Sequence, residues 1–443
     1  MPGKFSPGDV VGCKGGPVEI LEFLGEGGQG EVYAVEQNGK KKALKWYKPG
    51  GTGRDPEAFY TNLCSNAAKG APDRKLFIWP EAVTERKDGS FGYVMPLRPE
   101  GYHEISEYLL TTVRFRSMQT AVDAALNIAR AFRLLHNGGY CYQDLNDGNF
   151  FIHPETGEVL VCDNDNVAPE GVHTGIIGKP GFIAPELIRR GDPDKPRVVR
   201  LPDSLSDRFS MSIIIFMLLC LTRPLEGRRC VRESRTDEFM AKVYGDDAHF
   251  ILEDPNHPDY GPDETAHRNV YSWWPALPPY VKEFFLRAFG RKAMDNPAFR
   301  PTEADWVDLL VRFRSDIVKC ACGATVLTRD GRPTKCGKCG KPIRIPCRLQ
   351  LEKKGYCLPG LPDSRLYLCM VGACNADESL TLVGRVSGGE DREEPGIQNL
   401  SEKYWNAETP SGKRRKAMPQ ETVPLRPGIR LFIEDETVAI LKN

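Results

Sequence analysis

A glycine-rich segment near the N-terminus constrains the fold more than any other feature of this sequence. Residues 25–32 read Gly-Glu-Gly-Gly-Gln-Gly-Glu-Val and fit the pattern G-x-G-x-x-G-x-V. Apolar and polar residues alternate before the segment, at 18–21, and after it, at 31–35, as is typical of strands. A dinucleotide-binding motif with this glycine spacing would instead be followed directly by a helix. The sequence therefore predicts a glycine-rich β-hairpin with accessible backbone amides. Its residues of interest are Gly25, Gly27, Gly28, Gly30 and Val32.

The composition is that of an ordinary soluble protein with several domains. The 443 residues correspond to about three domains at roughly 150 residues each. Lys plus Arg and Asp plus Glu both number 60, so no net charge favours a nucleic-acid partner. The longest apolar run, residues 211–221, is much shorter than the roughly 20 residues of a bilayer span and predicts a buried core helix. No secretory signal is visible, and we expect a cytoplasmic protein without a membrane partner.

Four further motifs follow the hairpin in a fixed order. They are Ala43-Leu44-Lys45, then Asp144 and Asn149 within Tyr-Gln-Asp-Leu-Asn-Asp-Gly-Asn at 142–149, then Asp163 after the apolar run 159–161, and Ala-Pro-Glu at 184–186. A lysine on a strand, two acids and an amide at these spacings are the groups that hold a nucleotide, a metal ion and a hydroxyl substrate in phosphoryl transfer. The probability that all these motifs occur in this order by chance is very small.

These motifs resemble the protein-kinase set. Over residues 10–314 the chain is similar to the bacterial eukaryotic-like (Hanks-type) serine/threonine protein kinases. The resemblance implies an α+β, bilobal protein-kinase-like fold, with an N-lobe at 10–97 and a C-lobe at 98–314. It also implies ATP- and Mg²⁺-dependent transfer of the γ-phosphoryl group to Ser or Thr of a protein substrate, and the sequence does not exclude Tyr.

The resemblance assigns roles to single residues. Lys45 would grip the phosphates, Asp144 would accept the proton of the substrate hydroxyl, and Asn149 and Asp163 would hold Mg²⁺. Glu57 is the one glutamate between Lys45 and Pro80, so we expect it to pair with Lys45. The alternative is that this acid, in the first helical turn after Pro56, serves the helix dipole. The resemblance also places the four glycines of the hairpin beside the nucleotide, together with Val32, Ala43, Met95 and Leu97.

Three further residues have structural roles in this resemblance. Asp207, near the start of the apolar run, is expected to steady the backbone of the catalytic loop. Arg300 of the late Arg-Pro-Thr motif is expected to pair with Glu186 of Ala-Pro-Glu.

Several positions depart from the kinase pattern. Tyr142 and Gln143 replace the usual His-Arg before the catalytic aspartate. Asn164 replaces the Phe of D-F-G, and Asn146 replaces the lysine that serine/threonine kinases keep near the γ-phosphate. We expect Lys179 to supply the positive charge that is missing at Asn146. The alternative is that Lys179 is a solvated lysine on a loop.

Two other functions remain open at this point. Small-molecule kinases of the aminoglycoside or choline type share the D-x-x-x-x-N loop and the metal aspartate, but they lack the glycine-rich hairpin, Ala-Pro-Glu and Arg-Pro-Thr. A catalytically weak pseudokinase that binds nucleotide and a partner protein as a scaffold is the alternative from a different class. The retained Lys45, Asp144, Asn149 and Asp163 argue against it, whereas Asn146 and Asn164 leave it open.

A short cysteine-rich segment, residues 315–346, follows the kinase-like region. Cys320 and Cys322 form one pair, and Cys336 and Cys339 form a second. Four thiolates at two tight turns can complete a tetrahedral Zn²⁺ site. The segment resembles a zinc ribbon in which the first pair is one residue shorter than usual, and we expect a structural zinc. Unligated free cysteines are the alternative.

Residues 347–443 contain several strand-like runs and predict a C-terminal β-sandwich. The sandwich resembles a forkhead-associated domain, in which Arg385 would contact a phosphate, although the S-x-x-H motif of that family is absent. We expect the basic stretch 413–416 to lie in a solvated loop. Together, the three regions resemble kinases of bacterial tellurite-resistance-type gene clusters. That resemblance implies a von Willebrand factor A protein and a metal-dependent phosphatase as partners.

Overall fold

The computed structural model describes residues 3–52, 55–172, 178–189, 200–388 and 395–443. The chain divides into two units, each considered by itself below. The first unit comprises Met1–Phe115, Ala131–Tyr271 and Phe285–Pro301, and the second comprises Arg116–Arg130, Ser272–Phe284 and Thr302–Asn443.

The first unit begins with an antiparallel sheet of six strands in the order β1-β2-β3-β4-β6-β5. Its strands are β1 (Val10–Val11), β2 (Val18–Glu26), β3 (Gly30–Gln37), β4 (Lys40–Tyr47), β5 (Ala82–Val83) and β6 (Gly92–Pro96). Glu26 pairs with Glu31 at the end of the β2–β3 ladder, which confirms the predicted glycine-rich hairpin. The β3–β4 ladder sets Val32 opposite Lys45, so the hairpin and the lysine strand are adjacent.

Helix α1 (Pro56–Lys69) lies between β4 and β5 in the chain. Its start follows from local chemistry, because Asp55 caps the helix by accepting a hydrogen bond from the backbone N–H of Ala58, and Pro56 occupies the first helical position. The buried side chains of the helix are Phe59, Leu63 and Asn66. Phe59 and Leu63 pack in one hydrophobic cluster with Tyr47 of β4, which fixes the helix against the sheet.

Short strands, a short helix and a 20-residue helix connect the sheet to the helical region that follows. They are β7 (His103–Glu104), α2 (Ile105–Leu109), α3 (Met118–Asn137), β8 (Tyr140–Cys141), β9 (Phe150–Ile152), β10 (Val159–Val161) and β11 (Ala168–Pro169). Two 3₁₀ turns, Asp147–Asn149 and Asn164–Asn166, follow β8 and β10 respectively. Cys162 donates its backbone N–H to the carbonyl of Asn149 at 2.8 Å, which brings the two turns together.

Helix α5 (Ser204–Cys220) confirms the core helix expected at residues 211–221. It is buried along nearly its whole length, as its uniformly apolar run requires, and Asp203 caps its start by accepting from Ser206. The other helices of the region are α4 (Pro185–Ile188), α6 (Arg229–Arg232), α7 (Asp237–Ala241), α8 (Arg268–Trp273), α9 (Pro279–Phe289), α10 (Arg291–Asp295) and α11 (Glu303–Asp316), with a π-helical turn at Lys242–Asp246. None of the helices in the described part of the chain has the length and apolar character of a bilayer span.

The region after α11 is rich in β-structure. Two small hairpins, β12–β13 and β14–β15, precede a six-stranded antiparallel sheet of order β17-β16-β25-β24-β21-β22 and a four-stranded sheet of order β18-β19-β20-β23. The hairpin strands are β12 (Ile317–Lys319), β13 (Thr325–Leu327), β14 (Thr334–Lys335) and β15 (Pro342–Ile343). The remaining elements are β16 (Cys347–Leu351), β17 (Tyr356–Pro359), β18 (Arg365–Tyr367), α12 (Leu368–Val371), β19 (Leu382–Ser387), β20 (Gly396–Asn399), β21 (Trp405–Glu408), β22 (Arg414–Ala417), β23 (Thr422–Pro424), β24 (Arg430–Ile433) and β25 (Glu436–Lys442).

The expectation that the basic stretch 413–416 lies in a loop was wrong, because Arg414–Ala417 forms strand β22. Within the described ranges, this strand is at the edge of the six-stranded sheet and pairs with β21 alone. Arg414 forms an ion pair with Glu408, and Arg415 forms one with Glu421. Charged side chains on an edge strand discourage pairing with another chain, so the basic composition suits a strand in this position.

Gly30 is predicted to be essential for the stability of the hairpin, whereas Gly28 is not. A Cβ atom at Gly30 would overlap the backbone carbonyl of Trp46 on β4, while one at Gly28 would meet no atom within 4 Å. We expect Gly30→Ala to lower the free energy of unfolding by about 1–3 kcal/mol because strand β4 must move. Gly28→Ala, the matched control, should leave it nearly unchanged in urea titrations. Equal losses in the two variants would contradict the close approach of β3 to β4.

Candidate active site

Lys45 lies on β4 with its ammonium group removed from water. The residue is 5% exposed. Its Nζ donates to Asp165 Oδ2 at 2.9 Å, to Gln29 Oε1 at 2.9 Å and to Asp163 Oδ1 at 3.4 Å. Burial alone would lower the pKa of Lys45, but the charges of Asp163 and Asp165 outweigh burial and raise it. Lys45 is therefore held as a buried cation by two carboxylates.

Asp165 is the residue that the sequence analysis missed at this position. It belongs to the 3₁₀ turn Asn164–Asn166 and is completely buried. Besides Lys45, it accepts a hydrogen bond from the hydroxyl of Tyr47 at 2.5 Å. A signal for it was present in the sequence: helix α1 has no mid-helix glutamate, so the carboxylate partner of a buried lysine had to come from elsewhere.

The expected ion pair between Lys45 and Glu57 does not form among the described residues. Glu57 lies in the first turn of α1 with an exposed side chain, and it forms a bidentate pair with Arg86 at 2.5 and 2.8 Å. The side chain of Lys45 is instead directed into the interior, where Asp165 meets it. Glu57, in the first helical turn, therefore lies at the end of the helix on the surface and does not pair with Lys45.

The expected catalytic loop, residues 142–149, is anchored by Asp207 of α5, as the resemblance implied. Asp207 accepts the backbone N–H of Tyr142 at 2.5 Å and that of Gln143 at 3.2 Å, and His136 lies 3.1 Å from the same carboxylate. The hydroxyl of the buried Tyr142 donates to the backbone carbonyls of Cys162 and Asp163. Tyr142 therefore joins the catalytic loop to the segment that carries Asp163.

Asp144 and Asn149 belong to the same loop. Asn149 is 3% exposed, and its side-chain oxygen accepts the backbone N–H of Asn146 at 2.7 Å. Asn146 in turn accepts the backbone N–H of Gly148, so it caps the 3₁₀ turn and supplies no charge. Burial, together with the nearby charges of Asp165 and Asp163, raises the pKa of Asp144 to about 6. A carboxylate with a raised pKa is a better proton acceptor near neutral pH than an exposed one.

The backbone of Asp163 adopts an unusual conformation. Its φ of 53° and ψ of 43° lie in the left-handed region, which aspartate adopts more readily than most residues. The next residue, Asn164, is fully buried, and its side-chain amide donates to the carbonyls of Ile78 and Val161 at 2.7 and 2.9 Å. Hydrogen bonds thus hold this position, where the kinase pattern has a packed phenylalanine.

Lys179 is paired and does not stand free on a loop. Its Nζ donates to Asp147 Oδ1 at 2.7 Å, and Arg223 reaches the other oxygen of Asp147 at 3.3 Å. The neighbouring Gly178 approaches the catalytic loop so closely that a Cβ there would lie 3.8 Å from Asp144 Oδ1. The lysine is therefore anchored one residue from the contact with Asp144, with half of its side chain exposed.

The apolar residues predicted for nucleotide binding come together in one cluster. Ala43 and Met95 are buried in it, and Val32 and Leu97 pack against it. The cluster also contains Leu160 of β10, which the sequence analysis did not select although it had noted the apolar run. Beside the cluster, the tip of the glycine-rich hairpin is open, since a Cβ at Gly25 or Gly28 would meet nothing and one at Gly27 would meet only a backbone atom at 3.9 Å.

The expected pair between Arg300 and Glu186 is confirmed. Two bonds of 2.7 Å join the guanidinium of Arg300 to the carboxylate of Glu186, and a third reaches the carbonyl of Leu205. Arg300 is 2% exposed and also lies over the ring of Phe209. The Ala-Pro-Glu segment is thereby fixed to the start of α5.

The four cysteines of the second candidate site converge on one point. Their Sγ atoms all lie within 4.8 Å of one another, with Cys320–Cys339 and Cys322–Cys336 both at 3.7 Å. Zn–S bonds of about 2.3 Å in a tetrahedron place the sulfurs about 3.8 Å apart, which fits these distances. Backbone N–H groups of Cys339 and Lys338 lower the pKa of Cys336 to about 6, which favours the thiolate that a metal requires.

Positive φ angles explain the glycines of this cysteine cluster. Gly323 has a φ of 83° and Gly340 a φ of 71°, values that favour glycine. The N–H of Gly323 donates to the carbonyl of Cys320, and that of Gly340 donates to the carbonyl of Cys336. Each cysteine pair therefore lies in a tight turn at one end of a small hairpin.

Comparison with known proteins agrees with this arrangement. Residues 81–268 match the protein kinase domain. The chain is 25% identical over 329 residues to Protein kinase YegI of Escherichia coli O157:H7, covering 71% of this chain and 48% of that protein. It is 30% identical over 134 residues to leucine-rich repeat serine/threonine-protein kinase 1 of Caenorhabditis elegans, covering 27% of this chain and 5% of that protein.

The chain spans about half the length of the YegI relatives it matches. Among solved structures, the kinase domain of Mycobacterium tuberculosis PknI aligns with a TM-score of 0.45 and 16% identity, over 70% of this chain and 99% of that one.

Two glutamate–arginine pairs of the structure are predicted to differ in their contribution to stability. Glu186→Gln leaves the buried guanidinium of Arg300 without a countercharge, so we expect the free energy of unfolding to fall by about 3 kcal/mol. Glu57→Gln removes an exposed pair with Arg86 and should change it little, because water screens both charges. Urea denaturation followed by intrinsic fluorescence measures both. A loss at Glu57 as large as that at Glu186 would contradict the assignment of Glu57 to the surface.

Proposed function

We propose that the protein kinase domain of this chain transfers the γ-phosphoryl group of ATP to a Ser or Thr hydroxyl of a protein. One observation carries the proposal: Lys45, the loop with Asp144 and Asn149, and Asp163 come from three separate places in the sequence and lie close together. Catalysis of this kind depends mainly on positioning and electrostatics, which a preformed set of polar groups supplies.

The nucleotide would lie between the hairpin and the cluster beneath it. The adenine would pack on the apolar surface that Val32, Ala43, Met95 and Leu97 line, and the open tip with Gly25, Gly27, Gly28 and Gly30 would cover the phosphates. Lys45 would bind phosphate oxygens, for which Gln29 would release its contact. Asn149 and Asp163 offer the oxygen ligands that Mg²⁺ prefers, and the ion would neutralise phosphate charge.

Asp144 would orient the substrate hydroxyl and accept its proton. Its raised pKa, about 6, suits a proton acceptor that works near neutral pH. The side-chain amide of Asn166 lies 3.4 Å from its Oδ2, which helps to fix the carboxylate.

Lys179 would supply the positive charge that Asn146 does not. The closeness of Gly178 to Asp144 supports this role, and the ion pair with Asp147 holds the lysine in place. The ion pair also reduces the net charge that Lys179 offers, so its contribution would be smaller than that of Lys45.

A protein substrate fits better than a small molecule. Ala-Pro-Glu and the late arginine are features that small-molecule kinases lack, and here they form the buried Glu186–Arg300 pair. We place the protein in the cytoplasm. The partners that the resemblance implies, a von Willebrand factor A protein and a metal-dependent phosphatase, belong to the same proposal.

The cysteine cluster would bind one structural Zn²⁺ as a zinc ribbon. Its four thiols leave no open coordination position, so the metal would stabilise the fold and take no part in chemistry.

Residues 347–443 would form a forkhead-associated-like β-sandwich. The two antiparallel sheets support this, as does the buried indole of Trp405 on the six-stranded sheet, which lies against Gly384 of the four-stranded sheet. Arg385 is exposed on β19, where it is available to a phosphate group.

Incubation with γ-labelled ATP, Mg²⁺ and a generic protein substrate tests the proposed activity. We expect label from the wild type and at least about a 100-fold loss in Asp144→Asn and Asp163→Asn, because each removes a charged group from the reacting centre. Lys179→Ala should lower turnover about tenfold. Asp88→Asn is the matched control, since Asp88 is an exposed residue that pairs with Lys4 on the surface, and it should transfer label like the wild type.

Two results would contradict this proposal in different ways. A wild type that transfers no label, while ATP raises its melting temperature, would favour the pseudokinase scaffold. Full turnover in Lys179→Ala beside an inactive Asp144→Asn would exclude Lys179 alone from the reaction.

Zinc content tests the cysteine cluster. We expect one zinc per purified chain by mass spectrometry of the metal, and much less in Cys336→Ser, because a tetrahedral site loses a quarter of its ligands. A strong chelator should lower the melting temperature of the wild type. Cys357→Ser, a cysteine outside the cluster on β17, is the control and should retain the metal. Equal zinc content in the two variants would contradict the site.

A further inference from the structure

We propose that Asp165 is the positioning residue for Lys45, a role that the kinase pattern gives to a glutamate of the helix after the lysine strand. The inference rests on the proposed function, because it concerns the lysine that would bind the phosphates. The carboxylate partner of Lys45 would then lie two residues after Asp163, the aspartate that would hold the metal. No acid of helix α1 would be needed for this role.

The hydrogen bonds that Asp165 accepts all support the positioning of Lys45. Its Oδ2 accepts from Lys45 Nζ at 2.9 Å and from the hydroxyl of Tyr47 at 2.5 Å, and both donors come from strand β4. In the described part of the chain, no donor reaches its Oδ1. Asp165 has no exposed surface, so substrate or solvent cannot be its natural partner. A fully buried carboxylate is tolerated only when it is paired, and Lys45 is the cation that pairs it.

Asp163, the other carboxylate near Lys45, is less suited to the role. Its contact with Lys45 is longer, 3.4 Å, and its side chain is 43% exposed. Asp163 is also the carboxylate that would hold Mg²⁺, so its charge would be directed to the metal ion, and not to Lys45, once nucleotide is bound. Asp165 can keep its contact with Lys45 in both states.

Helix α1 contacts this segment through amides. The side chains of Asn62 and Asn66 both donate to the backbone carbonyl of Val167 at 2.7 Å, two residues after Asp165. Glu57, its sole acid, is occupied with Arg86 at the surface. The helix therefore supports the turn that carries Asp165 and does not itself provide the countercharge.

A double-mutant cycle distinguishes positioning through Lys45 from a general structural role. The variants are Asp165→Asn, Lys45→Met and the double variant, with Asp88→Asn as the matched surface control. For each, the dissociation constant of Mg²⁺–ATP is measured by calorimetry. The kcat, the KM for ATP and the KM for the generic protein substrate are measured by label transfer. The melting temperature is recorded for every variant.

We expect Asp165→Asn alone to lower kcat/KM for ATP about 100-fold while KM for the protein substrate stays the same. In the Lys45→Met background the same change should cost less than about twofold, because residues that act as a unit are not additive. It should also raise the melting temperature there, since it removes a buried carboxylate whose cation is gone. Equal losses in both backgrounds, or wild-type kinetics in Asp165→Asn, would overturn the inference.

Tyr47→Phe provides a second test should Asp165→Asn fail to fold. It removes one hydrogen bond to Asp165 and keeps the ring, so it should lower kcat/KM for ATP several-fold in the wild type and have no effect in Lys45→Met. Additive losses would again overturn the inference. A wild type that neither binds Mg²⁺–ATP nor transfers label would overturn the proposed function and this inference with it. An active wild type with an unaffected Asp165→Asn would overturn the inference alone.

Discussion

The ammonium group of Lys45 is buried in the first unit, and its ion pair with Asp165 is the interaction on which the rest of the site depends. A buried cation without a partner would cost several kcal/mol, so removing either charge alone destabilises the packing of strand β4 against the turn Asn164–Asn166. The same contact brings Asp163 within 3.4 Å of the lysine and Gln29 of the hairpin within 2.9 Å. One electrostatic constraint therefore connects the hairpin, the lysine strand and Asp163.

The polar character of the segment 163–166 follows from this constraint. A phenylalanine at position 164 would pack by its size alone, whereas Asn164 is held by directed hydrogen bonds to Ile78 and Val161. Directed bonds fix the orientation of a turn more narrowly than apolar packing does, and Asp165 needs a fixed orientation to meet Lys45. Tyr142 reinforces the turn from the catalytic loop through its hydroxyl.

Local patterns were sufficient to predict much of the fold and the site. The hairpin and helix α5 follow from turn chemistry and hydrophobic runs, and the motif spacing selected Lys45 and Asp163, which do lie in contact. Asp165 was missed because the kinase motifs assign no role to its position, and only the folded chain shows its contact with Lys45, 120 positions away. The strand β22 was missed because its charges indicate solvent exposure, and an edge strand is exposed as well.

A crystal structure of the complex with Mg²⁺ and a non-hydrolysable ATP analogue tests the central claim most directly. The account predicts that Lys45 Nζ binds phosphate oxygens and remains about 3 Å from Asp165 Oδ2, while Glu57 stays paired with Arg86. Gln29 should have left Lys45. A complex in which Lys45 has moved away from Asp165 and pairs with Glu57 would contradict the account.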